Sequence, residues 1–207
     1  MSALRAPLES GLGLLLPGLP SDRVDRLLAY LDLLGRWNRV YNLTAIRDPQ
    51  LWVSHHLLDS LSPITYLQDG SLVDVGSGGG FPGLPIAIVQ PQRPVTLIET
   101  SQKKSAFLAH AVGTLGLVNA TVVPGRVETV EGGGFRNVIS RAFSDLADFV
   151  RLAGHLLAPG GRMLAMKGAW PAEELEAVGP GWQHQIHALQ VPGLDARRHV
   201  VLLEVAA

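Results

Sequence analysis

A chain of 207 residues, 47% of them hydrophobic, can bury a full core and reads as one domain with a helical extension. It has no cysteine, which excludes disulfides, thiolate metal sites and cysteine nucleophiles. A net charge of −1 with 17% charged residues argues against a general polyanion binder, so any contact with nucleic acid has to come from a local basic patch. No apolar run approaches the length of a membrane span: Leu12 to Leu16 is short and interrupted by Gly13. The first residues also lack the basic-then-apolar pattern of a signal peptide, so a cytoplasmic protein without membrane contact is expected.

Residues 1–68 read as the helical extension. Ser21 or Asp22 is expected to cap a helix whose Val24, Leu27, Leu28, Leu31, Leu34 and Trp37 recur at three- and four-residue spacing, the mark of a packing face. Asn42 and Thr44 suit its closing turn. Asp48-Pro49 then has the form of a cap followed by proline at the first helical position, opening a helix with Leu51, Trp52, His55, His56 and Asp59.

From residue 69 the pattern alternates strand and helix. Leu72 to Val75 is an apolar strand broken by one carboxylate, Asp74, and a glycine run leads into a helix from Pro82 to Val89. Val95 to Glu99 is a second strand, and Ser101 is expected to cap a helix stopped by Gly116. Ala120 to Val123 and Val138 to Ser140 follow as strands, then a helix from Leu146 to Leu157 halted by Pro159-Gly-Gly161. Arg162 to Met166 is the fifth strand, residues 171–178 are helical, and strands near Gln183 to Leu189 and His199 to Val205 close the chain. Residues 69–207 therefore predict an α/β domain with a mostly parallel seven-stranded sheet, helices on both faces and a closing antiparallel hairpin.

The strand, glycine turn and helix around residues 72–89 form the ligand-binding unit of a doubly wound sheet. Two ligand classes use such a turn. Gly78, Gly80 and Gly83 fit the dinucleotide spacing G-x-G-x-x-G. Read from Gly76, the stretch is instead the D-x-G-x-G turn of S-adenosylmethionine (SAM) enzymes. Asp74 favours SAM, because a carboxylate in the first strand would attract a cationic ligand and repel a pyrophosphate. Glu99, ending the second strand, has the place to accept hydrogen bonds from ribose hydroxyls in either case.

Several motifs carry a more specific resemblance: Trp37-Asn-Arg-Val-Tyr-Asn-Leu-Thr44, His56-Leu-Leu-Asp-Ser60, Val73-Asp-Val-Gly-Ser-Gly-Gly-Gly-Phe-Pro-Gly83, Ile139-Ser-Arg-Ala142, Lys167-Gly168 and Arg198-His199. In this order they resemble the RsmG (GidB) family, from about Leu27 to the carboxyl end. The sequence departs from that pattern at Ser54, where a basic residue is common, and at Gly79-Gly80, in a turn that often reads Pro-Gly. The resemblance implies a Rossmann-like, SAM-dependent methyltransferase acting on N7 of a guanine in bacterial 16S ribosomal RNA. It implies SAM as donor, leaving as S-adenosylhomocysteine, with no metal, and 16S rRNA or the small ribosomal subunit as partner. It places Gly76, Gly78 and Phe81 in the SAM pocket, Val127 and Glu128 beside the adenine, and Arg141 at the end of the fourth strand.

The chemistry of the residues is compatible with that. Cysteine-based C5 methylation is impossible without cysteine, and no Asn/Asp-Pro-Pro-aromatic motif of adenine-N6 enzymes occurs. Guanine N7 carries a free lone pair at neutral pH, so no general base is expected and alignment plus electrostatic placement suffice. Arg141 and Lys167 are the candidates for that positioning, Arg141 on SAM or a phosphate; the alternative for Arg141 is an ordinary ion pair, and for Glu128 a solvated helix position. His56 and Asp59, three apart, are read as tying the extension to the domain by hydrogen bonds. Arg39, Asn42, Lys103, Arg197 and Arg198 are candidate RNA contacts, with Arg36, Arg47 and Lys104 near them. An NAD(P)-dependent oxidoreductase and a non-catalytic ribosome-binding module are the competing classes, and a monomer is expected.

Overall fold

The computed structural model describes residues 2–206. The extension opens with helix α1 (Ser2–Leu15) and helix α2 (Ser21–Tyr41). Neither Ser21 nor Asp22 caps α2. Pro20 occupies the cap with φ −58 and ψ 144, and its carbonyl accepts the amide of Arg23 at 3.0 Å, so the proline ring itself sets the entry. The buried stripe holds Val24, Leu27, Leu28, Leu31 and Leu34 as the spacing predicts. The helix stops at Asn42, whose left-handed φ of 50 is one that asparagine tolerates.

Residues 49–61 are helical but irregular: a 3-10 turn (Pro49–Leu51), π-helical turns (Val53–Leu58) and an α turn, α3 (Asp59–Leu61). Asp48 caps the first turn through the amide of Gln50 at 2.9 Å, with Pro49 at the first position. The π turn carries extra residues per turn, and such bulges concentrate at functional sites.

The sheet has seven strands in the order β3-β2-β1-β4-β5-β7-β6. They are β1 (Leu72–Val75), β2 (Val95–Glu99), β3 (Ala120–Pro124), β4 (Phe135–Ser140), β5 (Leu157–Lys167), β6 (Trp182–Leu189) and β7 (Arg198–Val205). The first five are parallel, and β7 runs antiparallel between β5 and β6. This is the Rossmann-like architecture the sequence predicts. The intervening helices are α4 (Gly83–Val89), α5 (Gln102–Leu115), α6 (Leu146–Ala153) and α7 (Ala172–Glu176). α6 ends earlier than expected. A 3-10 turn (Gly154–Leu156) follows, and β5 begins at Leu157, absorbing Pro159-Gly-Gly161 through a register shift opposite Phe135 and Asn137.

Each face of the sheet buries its own apolar layer. One holds Val73, Val75, Ile98, Phe149 and Met163. The other joins Leu8, Leu27, Leu31 and Leu34 of the extension to Leu84, Ile86, Leu97 and Phe107 in one continuous cluster. Each buried leucine contributes about 1.5–3 kcal/mol, so the extension is packed as part of the core.

Candidate active site

Strand β1 runs into the glycine turn at the point where β1 and β4 part toward opposite neighbours. The amides of Gly76 and Ser77 donate to the carbonyl of Ile98 at 2.9 and 3.1 Å, which pins the turn to β2. Gly76 takes φ +75, and a β-carbon there would stand 2.7 Å from the Ala142 β-carbon, so only glycine fits. Gly83 lies so close beneath the turn that a β-carbon would fall 2.3 Å from Leu97 and 2.8 Å from the Asp74 carboxylate.

Asp74 does not face a ligand. Side chains alternate along β1, so Leu72 and Asp74 point toward α4 while Val73 and Val75 point to the other face. The Asp74 carboxylate is fully buried, accepts the Gly83 amide at 2.9 Å through Oδ2, and leaves Oδ1 without a partner. Burial pushes its pKa up from 3.8 to about 7. It therefore locks the entry to α4, and the charge argument that set it beside a cationic ligand fails. Glu99 stands at the end of β2 as expected, but its carboxylate is drawn inward. Oε2 accepts the Gly78 amide at 2.7 Å, and Oε1 accepts the Ser101 amide at 2.8 Å and the Thr100 hydroxyl at 3.4 Å. The Ser101 side chain, expected as a cap, makes none.

Three cavities follow one another across the carboxyl ends of the strands. The first, about 210 Å³, is lined by Val75, Gly76, Ile98, Val127, Glu128 and Ala142. The second, about 320 Å³, is lined by Thr44, His56, Gly76, Gly78, Phe81 and Arg141 and shares Gly76 and Ala142 with the first. The third, about 360 Å³, is lined by His55, Asp59, Arg141, Lys167, Gly168 and Arg198 and shares His56 and Arg141 with the second. Val127 is buried in a 3-10 turn, whereas Glu128 is exposed, and the hydrogen bond from Arg126 at 2.6 Å holds its carboxyl below the usual range.

Asp59 organises the third cavity. Only 3% exposed, its carboxylate accepts Arg141 at 2.8 Å through one oxygen and Arg198 at 3.0 Å through the other. Arg141 also donates to the His55 carbonyl at 3.2 Å and lies over the Phe81 ring, 5.3 Å from its centroid. His56 stacks on the same ring, with centroids 4.4 Å apart, and its Nε2 meets the Thr44 hydroxyl at 2.8 Å. Burial, and then the charge of Arg141, lower the His56 pKa to about 3, so the ring is neutral at physiological pH. Lys167 engages all three of its protons within the protein: the carbonyls of Phe143 and Ser144 at 3.1 and 2.7 Å, and Glu174 at 2.5 Å. It lines the cavity while holding the loop after Arg141. His199 Nδ1 approaches the Gly168 carbonyl at 3.2 Å, joining two further motif pairs.

Arg39 and Asn42 lie elsewhere, in a larger groove beside the second cavity. Lys103, in the first turn of α5, and Arg197, before β7, are exposed and line none of these cavities. One contributor was not singled out in the sequence. Tyr30, fully buried in α2, donates its hydroxyl to the Gly79 carbonyl and tilts against Phe81 at 5.4 Å. Its signal was a polar-tipped aromatic inside the apolar stripe, three residues after Leu27.

The fold and the glycine-turn site define a Rossmann-like methyltransferase. A solved SAM-dependent methyltransferase from Aquifex aeolicus shares this fold with a TM-score of 0.59 at 17% identity, covering 79% of this chain and 97% of that one. The family model "GidB: rRNA small subunit methyltransferase G" matches residues 23–201. The chain is 49% identical over 221 residues to the ribosomal RNA small subunit methyltransferase G of Cupriavidus pinatubonensis, covering 98% of this chain and 94% of the relative. It is 50% identical over 203 residues to the protein of that name from Methylobacillus flagellatus, covering 97% and 98%. The chain belongs to the GidB family, the small-subunit rRNA methyltransferases G. The oxidoreductase reading falls with that.

Proposed function

We propose that this chain transfers the methyl group of SAM to N7 of a guanine in 16S ribosomal RNA, acting in the cytoplasm as a monomer. One observation carries the reading: motifs spread from Thr44 to His199 meet around three adjoining cavities at the carboxyl ends of the strands. The adenosine half of SAM fits the first cavity, against Val127, Glu128 and Gly76. Glu99 lies inward of it, with one lone pair left on Oε2 for a ribose hydroxyl. The methionine half fits the second, along Gly76, Gly78 and Phe81, and the target base enters from the third.

The chemical step asks little of the protein. The N7 lone pair attacks the sulfonium methyl carbon, the carbon–sulfur bond breaks with its electron pair returning to sulfur, and no proton moves. The acceptor ring takes up the positive charge that sulfur loses. The site then has to align three atoms and avoid repelling two cations in succession. Asp59 offsets one of the two guanidinium charges beside the acceptor cavity. Arg141, shared by the second and third cavities, orients donor toward acceptor, Arg198 meets the nucleotide phosphate, and Lys167 fixes the loop behind them.

The test is methyl transfer from radiolabelled SAM to unmethylated small-subunit RNA, naked and in particles. Borohydride and aniline then break the chain at 7-methylguanosine. Label with a single cut is expected. Label without a cut overturns the N7 assignment, and no label on either substrate overturns the reading.

A further inference from the structure

A further cavity of about 880 Å³, larger than each of the three that hold donor and acceptor, lies outside them. It is a groove between the last turns of α2 and the 44–49 loop, lined by Asp32, Arg36, Asn38, Arg39, Arg47 and Trp52 among others. Asp32 pairs with Arg36 at 2.5 Å. Arg39 and Arg47, from opposite walls, are exposed and make no side-chain hydrogen bond or ion pair with any described residue. Two unpaired guanidiniums facing one polar groove make a standing site for anionic oxygens, since nothing within the protein competes for their donors.

The groove is built, not incidental. Trp52 forms its floor, only 4% exposed, and is fixed by a hydrogen bond from its ring nitrogen to the Ile46 carbonyl at 2.8 Å. Gly35 makes room for that floor, because a β-carbon there would lie 3.2 Å from the Trp52 ring. The Asn38 side chain accepts the Thr44 amide at 2.9 Å and so holds the loop to the helix. Thr44 and Ala45 line both this groove and the second cavity, so the two adjoin.

We infer that this groove carries the RNA strand adjoining the target guanosine, with Arg39 and Arg47 each engaging a backbone phosphate. The inference rests on the proposed function and adds a path to it. The strand leaves the acceptor cavity past Ile46, which lines it, crosses the loop between Ala45 and Arg47, and runs along the end of α2. The contacts are to phosphate, so they position the strand without reading its sequence.

The experiment compares the wild-type chain with R39A/R47A and with R39K/R47K. The readouts are SAM affinity by calorimetry, and KM and Kd for naked unmethylated 16S rRNA across a salt series. Both arginines are exposed, so the variants fold. For R39A/R47A, SAM affinity stays unchanged, KM and Kd for RNA rise about tenfold or more, and the slope of log K against log salt becomes shallower by about 1 to 1.5, the change expected for two single-strand phosphates. R39K/R47K restores most of the loss. If the wild type methylates RNA and R39A/R47A matches it in KM and salt slope, the groove is not the strand path while the methyltransferase reading stands. If the wild type neither binds nor methylates RNA, both fall. If guanosine monophosphate or inorganic phosphate shields Arg39 and Arg47 from phenylglyoxal as well as RNA does at equal phosphate concentration, the groove is a site for a free anion and the strand path is wrong.

Discussion

The Asp59 carboxylate and the Arg198 guanidinium, 139 residues apart in the chain, meet at 3.0 Å in the lining of the third cavity. The other oxygen of Asp59 holds Arg141. One carboxylate from the extension thus fixes an arginine at the end of β4 and another at the start of β7. The hydrogen-bonding tie expected for this residue is an ion-pair bridge between two parts of the sheet, and the ion pair weighed for Arg141 is one half of it.

Asp59→Asn removes the charge that both guanidiniums share while keeping the shape. Because Asp59 is nearly buried and the arginines are about a quarter exposed, unfolding in urea should show a loss of about 2–3 kcal/mol, at or below the lower end for breaking a buried pair. Methyl transfer should fall about a hundredfold, since both arginines lose their alignment. Arg141→Ala leaves the Asp59–Arg198 pair in place, so the chain should fold and bind RNA while kcat falls at least a hundredfold. Wild-type turnover in that variant would make Arg141 a structural ion pair and nothing more.

Asp74 gives a pH dependence of definite sign. Its pKa is raised in the folded chain, from 3.8 to about 7. The folded state therefore holds a proton that the unfolded state releases between those values. Its stabilising contribution is complete below about pH 4 and is lost as pH rises through 7. Other carboxylates add their own trends, so the measurement is a difference. The stability of Asp74→Asn relative to wild type should increase between pH 4 and pH 8 by on the order of 3 kcal/mol, followed by chemical denaturation. A flat difference would mean that Asp74 titrates normally.

Gly76→Ala places a methyl group at φ +75 and against Ala142. The strain costs about 1–3 kcal/mol. The same methyl stands where the first two cavities join, so SAM affinity should fall at least tenfold by calorimetry. Unchanged affinity would move the donor away from the glycine turn.

Tyr30→Phe removes one buried hydroxyl and leaves the Gly79 carbonyl without its donor. The expected cost is about 1–2 kcal/mol of stability. Because Gly79 lines the second cavity, SAM binding should weaken several-fold although Tyr30 lines none of the three cavities. An effect on stability alone would limit Tyr30 to packing.

The sequence by itself determined the order of strands and helices, the glycine turn and the family, because these are written in local periodicity, backbone permissiveness and short motifs. Glu99 and Arg141 were legible as residues at strand ends, and they stand there, whereas Val127 came from the family resemblance alone. Other matters depended on which way a side chain points once elements pack. Asp74 turned inward because strand alternation aims it at α4. Lys167 found three partners on the loop and helix that follow β4 and β5. Arg39 and Asn42 line a groove that borders the second cavity and not the cavities themselves, while Lys103 and Arg197 stayed on the open surface. The carboxylate bridge of Asp59 existed in no segment of the sequence. It arises because the extension packs against the sheet and delivers one charge between two strands that the chain itself visits 82 and 139 residues away.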